Sequence, residues 1–125
     1  MTAVDAARGA GPGLGGASLS VLGRPGLTIA RLEGDLDIVT VPALHERLLN
    51  GLGPGAGLLI IDLSGVSFCG AAALTMLIGT QRCATARGST VRLAAPRPQM
   101  AKLLHITDLD RTFTICATVE DALLT

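Results

Sequence analysis

The chain is 125 residues long and 49% apolar, with two phenylalanines and no tryptophan or tyrosine. That length supports one domain with an aliphatic core, and the aromatic poverty excludes a site built on stacking of bases or sugars. Ten basic residues balance ten acidic ones, and without a run of like charge the chain lacks the footprint of a nucleic-acid or anionic-membrane binder.

Its apolar runs stop short of the roughly 20 residues that a membrane span needs, and no basic region followed by an apolar core opens the chain. A soluble, cytoplasmic protein is therefore expected. Cys69, Cys83 and Cys116 are odd in number and lack Cys-x-x-Cys spacing, so free thiols are expected rather than a disulfide framework or a zinc site.

Residues 1–17 are rich in Ala and Gly without an apolar period and predict a disordered tail, leaving residues 18–125 as the folded domain. Gly11, Gly13 and Gly16 spell Gly-x-Gly-x-x-Gly. The dinucleotide motif works only between a strand and a helix, whereas here a polar tail precedes and a strand follows, so no nucleotide site is expected.

Leu19 and Val21 alternate with serines, and Arg24-Pro25-Gly26 turns the chain into residues 27–33, which predicts a hairpin. Thr40 is placed to cap a helix with Pro42 in its first turn and Val41, Leu44 and Leu48 as its buried stripe. After Asn50-Gly51 and the loop 53–57, residues 58–63 form a continuous apolar run, the pattern of a central strand covered on both faces. A turn through Ser64 and Gly65 is expected, then a long helix from about Gly70 to Arg87 that buries Leu74, Leu77 and Ile78 and stops at Gly88. Val91 and Leu93 mark the next strand, and Pro98 opens a helix using Met100, Leu103 and Leu104. Phe113 and Ile115 mark the last strand, and Thr118 with Asp121 forms a capping box for a final helix. The order β-β-α-β-α-β-α-β-α predicts an α/β fold, a mixed and mostly parallel sheet with an N-terminal hairpin and packed helices.

Candidate chemistry is sparse. Asp35 and Asp37 could act as paired carboxylates, but turn aspartates usually cap backbone amides. Cys69 precedes a helix start, where a thiol pKa can fall, although free cysteine more often packs as a small hydrophobe. His45 and His105 lie in helical segments without ligand spacing and predict surface roles. Asp62 ends the apolar strand, where it can cap the turn at Ser64 or Gly65 or serve as a site residue. No catalytic residue, metal ligand or cofactor site is assigned.

The segment from Asp62 to Phe68, DLSGVSF, followed by the helix start, resembles the STAS domain of bacterial anti-sigma factor antagonists. The resemblance extends to Gly34-Asp35-Leu36-Asp37 followed by Thr40 and Ala43, to Gly88 before a strand, to Leu103 and Leu104, to Leu109 and Phe113, and to the closing Glu120-Asp121-Ala122-Leu123. It implies a regulatory binding protein that docks on an anti-sigma factor of the histidine-kinase-like ATPase type and so frees a sigma factor. Docking is expected through Asp35, Asp37, Cys69, Gly70, Ala71, Ala72, Ala73 and Met76.

Phosphoregulated members read Asp-Ser-Ser/Thr-Gly at the helix start, and the second hydroxyl residue accepts phosphate. This chain reads Gly70-Ala71-Ala72-Ala73, so the acceptor position is Ala72 and the resemblance implies docking without that switch. Ser67 and Thr75 are the nearby hydroxyls that could substitute. The alternative is a STAS scaffold or transporter-associated subunit that has lost the kinase partner.

Overall fold

The apolar run that begins at Leu58 becomes the middle strand of a five-stranded sheet. The computed structural model describes residues 16–52 and 57–124. Their order is β1 (Ala17–Arg24), β2 (Leu27–Leu36), α1 (Val41–Asn50), β3 (Leu58–Cys69), α2 (Ala71–Ala86), β4 (Thr90–Ala94), α3 (Pro98–Ile106), α4 (Leu109–Thr112), β5 (Thr114–Cys116) and α5 (Val119–Leu124). The strands lie side by side in chain order; β1 pairs antiparallel with β2, and every other pairing is parallel. This is the expected mixed sheet, with the single-turn α4 as an element the sequence pattern does not signal.

Residues 1–15 and most of the glycine-rich loop lie outside the described residues, and with them Gly11, Gly13 and the greater part of the expected tail. Ala17 belongs to the sheet instead, and Gly16 leads into it from a turn. Asp35 donates its N–H to the Gly16 carbonyl at 3.0 Å, and buried Ala17 opens β1.

The continuity of the β3 run has a simple origin. Leu59, Ile61 and Leu63 point into the main core with Leu44, Leu48 and Leu77, whereas Ile60 points to the opposite face and packs with Ala94, Cys116 and Ala122. Both faces are covered there, so alternation gives no advantage. The short α5 seals the second face, and Arg92 donates to the Ala122 carbonyl at 2.7 Å, supplying a partner to a helix-end acceptor.

On α2 the buried stripe is Ala73, Met76, Leu77, Thr80 and Ala84. Leu77 is fully buried as expected, but Leu74 and Ile78 are only half-buried, because the helix presents its 73–77–80–84 line to the sheet. The Thr80 hydroxyl satisfies itself on the Met76 carbonyl at 2.8 Å.

No turn forms at Ser64 and Gly65; β3 continues to Cys69 by way of two bulges. Its partners on β2 step from Asp62 opposite Arg31 to Gly65 opposite Glu33, and from Val66 opposite Gly34 to Phe68 opposite Asp35. Each step places one extra residue on β3. The Asp62 carboxylate accepts the Ser64 N–H at 2.9 Å, so its turn-capping role survives inside the first bulge. Gly65 is required there, since a Cβ would lie 2.6 Å from Cγ of Glu33. Gly34, at φ +90°, lies so close to β1 that a Cβ would collide with the Gly16 carbonyl.

Candidate partner-docking site

β2 and β3 end together, with Leu36 opposite Cys69, and the Gly70 N–H donates to the Leu36 carbonyl at 2.9 Å. The loop leaving β2 and the start of α2 are thereby tied into one surface at the carboxyl end of the parallel strands.

The loop is built by Asp37. Its carboxylate accepts the N–H of Val39 at 2.9 Å and of Thr40 at 3.0 Å, and the Asp37 carbonyl accepts the Val41 N–H at 2.9 Å. Buried Thr40 replies through its hydroxyl, accepting the Asp37 N–H at 3.0 Å and donating to the Asp35 carbonyl at 2.7 Å. Asp37, rather than the expected Thr40, therefore performs the side-chain capping of the turn into α1, in a reciprocal arrangement of the capping-box kind.

The backbone N–H of Thr40, more than any other group, holds the Asp37 carboxyl below its ordinary 3.8, with Val39 and the Thr40 hydroxyl adding to the effect against a partial opposition from burial. A depressed carboxyl stabilises the fold fully above 3.8 and loses that contribution as pH falls through its folded value. Asp37→Asn is expected to shallow the loss of stability below pH 3.8, as read from urea midpoints taken down the acid limb. An unchanged acid limb would remove this assignment.

With both ends hydrogen-bonded, the turn holds two apolar side chains outward: Ile38 is 80% exposed and Val39 77%. Phe68, lifted by the second bulge, is 45% exposed opposite Asp35. Ala71 is exposed, and Gly70 and Ala72 are half-buried. Gly70 caps α2 in ordinary extended backbone without a side-chain bond.

Three expected docking residues are not on this surface. Cys69, Ala73 and Met76 are 5%, 0% and 1% exposed and belong to the main core, so none presents its side chain on the exposed face. Strand alternation turns Cys69 inward between the outward Phe68 and the helix start. The helical turn sends residues 73 and 76 to the face that packs on the sheet. Burial pushes the Cys69 thiol above its ordinary 9.0, and its sulfur donates to the Gly70 carbonyl at 3.7 Å. That is the opposite of an activated thiolate.

The histidines differ from each other. His105 sits on the surface with Nδ1 2.8 Å from the Asp110 carboxylate, which raises its pKa through that hydrogen bond and the associated charge. His45 is half-buried rather than on the surface; its ring faces Gly79 of α2, and its Nε2 lacks a hydrogen-bond partner. Among the described residues no group of three potential ligands could hold a metal ion, and no helix is long and apolar enough to cross a membrane.

The model of the STAS domain matches residues 18–122. The chain belongs to the STAS domain family. This STAS domain is 31% identical over 114 residues to the anti-sigma-F factor antagonist RsfB of Mycobacterium tuberculosis, covering 85% of this chain and 86% of the relative. The crystal structure of an anti-sigma factor antagonist from Mycobacterium paratuberculosis superposes with a TM-score of 0.70 at 30% identity, covering 86% of this chain and 92% of the other. The unphosphorylated antagonist SpoIIAA shares the fold, with a TM-score of 0.71 at 21% identity over 84% of this chain and 92% of its own.

Sequence reasoning misses the exposed apolar part of this end of the STAS domain. Ile38 and Val39 follow an aspartate and precede a capping residue, and two adjacent apolar side chains inside such a turn are the available signal. Phe68 reads as one of an apolar pair with Val66, and only the bulge separates their fates: Val66 is buried and Phe68 is not.

Proposed function

We infer that this chain is an anti-sigma factor antagonist: it docks on an anti-sigma factor of the histidine-kinase-like ATPase type in the cytoplasm and thereby frees a sigma factor. The observation that carries this reading is that the loop exposing Ile38 and Val39 is tied through Leu36 to Gly70 at the exposed helix start, beside which Phe68 also faces outward. Apolar side chains gathered beside one helix terminus are the kind of surface that a protein partner covers. The relatives named as antagonists agree with it. Asp35 and Asp37 flank the patch, the former exposed and the latter engaged in holding the turn.

The role is one of binding, without catalysis. The phosphoacceptor position holds Ala72, and the neighbouring hydroxyls are poor substitutes. Thr75 lies one turn into α2 and donates to the Ala71 carbonyl at 3.3 Å, and Ser67 precedes the helix in the bulge. Phosphoryl transfer requires the hydroxyl to be held in the kinase site, so neither inherits the reaction by proximity alone.

Titration calorimetry against the purified anti-sigma ATPases of the source genome, with and without ATP, tests the docking. Saturable binding to one of them is expected, and binding to none would overturn the reading. Incubation with the same ATPase and ATP should add no phosphate by intact mass, whereas Gly70→Asp with Ala72→Ser and Ala73→Gly supplies the acid, the acceptor hydroxyl and the glycine of the family motif for comparison. Stoichiometric phosphate on the unaltered chain, at Ser67 or Thr75, would overturn the absence of the switch.

A further inference from the structure

Past Phe68 the surface changes character. A cleft of about 230 Å³ separates the bulged end of β3 from the start of α3, lined by Val66, Ser67, Phe68 and Cys69 of β3 and by Arg97, Pro98, Gln99 and Met100. Arg97 is exposed, and its Nε donates to the Ser64 carbonyl at 2.8 Å, which fixes the guanidinium against the β3 wall. A guanidinium carries five N–H donors, so this bond leaves its terminal edge available.

Asp35 stands opposite Phe68 across the β2–β3 pairing, and Phe68 is also a wall of the Arg97 cleft. The surface thus reads, in order, acid at Asp35, apolar through Phe68, and base at Arg97. We propose that the docked partner inserts a carboxylate side chain into the Arg97 cleft, and that Arg97 and Asp35 together fix the partner's orientation. This rests on the docking reading above.

The chemistry favours a side-chain carboxylate over a free anion. A planar guanidinium held at one nitrogen still offers a two-pronged edge that matches a carboxylate. The lining supplies no second cation to compensate a free phosphate, while Val66, Phe68 and Pro98 give an apolar channel for the methylenes of a Glu or Asp stem. Opposite charges at the two ends of an apolar surface also penalise the reversed orientation, since each end would meet a like charge.

Calorimetry against the anti-sigma ATPase that binds the unaltered chain, with Arg97→Lys, Arg97→Gln and Arg97→Glu, tests the cleft. Arg97→Gln is expected to weaken binding about tenfold and Arg97→Glu further, whereas Arg97→Lys, which keeps the charge and loses the two-pronged edge, falls between the unaltered chain and Arg97→Gln. Lys and Gln both lose the Nε bond to Ser64, so equal losses for the two would mark Arg97 as merely structural and overturn the proposal. Unchanged binding by all three, with Ala71→Glu abolishing it, would overturn the cleft and leave the docking reading standing. Failure of the unaltered chain to bind any ATPase would overturn both. Inorganic phosphate that perturbs the Arg97 resonances of the free domain and competes with the partner would assign the cleft to a free anion and overturn the carboxylate.

Discussion

Truncating Leu77 to alanine is expected to destabilise the domain by about 2 to 5 kcal/mol, the range for a large aliphatic side chain removed from a core that collapses only partly. Leu77 is fully buried where α2 packs on the sheet, in one cluster with Leu44 and Leu48 of α1 and Leu59 and Ile61 of β3. A void there would be bordered by side chains from two helices and a central strand, so no single element can move to fill it. Leu74→Ala, three residues earlier and half-buried, should cost clearly less. Urea denaturation of both variants measures the difference. A midpoint for Leu77→Ala close to that of the unaltered domain would remove the helix orientation described above.

Introducing glutamate at Ala71 is expected to weaken docking on the anti-sigma factor by roughly 3 kcal/mol or more, over a hundredfold in affinity, while leaving the unfolding midpoint nearly unchanged. Ala71 is the first residue of α2 and is exposed, and an acidic side chain in a helix's first turn is tolerated or mildly stabilising in the free domain. Covered by a partner, the same carboxylate would be desolvated at the helix start without a cation of this chain to pair it. Ala72 is a less clean position, because it is half-buried and packs against the core, so a charge there would disturb folding as well. Equal affinity of Ala71→Glu and the unaltered chain in calorimetry would exclude this face as the docking site.

Periodicity made the fold legible, and local hydrogen bonding hid parts of the site. The switch from the continuous run at Leu58 to helical spacing after Gly70 located β3 and α2, and the turn residues located the hairpin and the helix ends. A docking set that takes Cys69 to Ala73 in succession, with Met76, was bound to fail in part, because a helix rotates about 100° per residue and delivers Ala73 and Met76 to the core. The bulges were invisible for another reason. Ser64 and Gly65 carry the composition of a turn, and only pairing with β2 converts them into an extended, kinked strand. Thr40 was a plausible cap by type, but whether Asp37 or Thr40 provides the capping acceptor is decided by which side chain reaches the free amides, a matter of three-dimensional arrangement.

The two bulges also bear on how this stretch of chain can change in length. A strand that loses a residue normally exchanges its inner and outer faces beyond the cut. Ser67 is an exception: without it, Val66, Phe68 and Cys69 would fall directly opposite Gly34, Asp35 and Leu36, each still on its present side. Loss of any one residue among Leu59, Ile60 and Ile61 offers no such compensation and would turn leucine and isoleucine side chains toward the wrong layer. One-residue gaps that separate this chain from its relatives should therefore gather at the second bulge, where a deletion alters the aim of a single phenylalanine instead of inverting a strand.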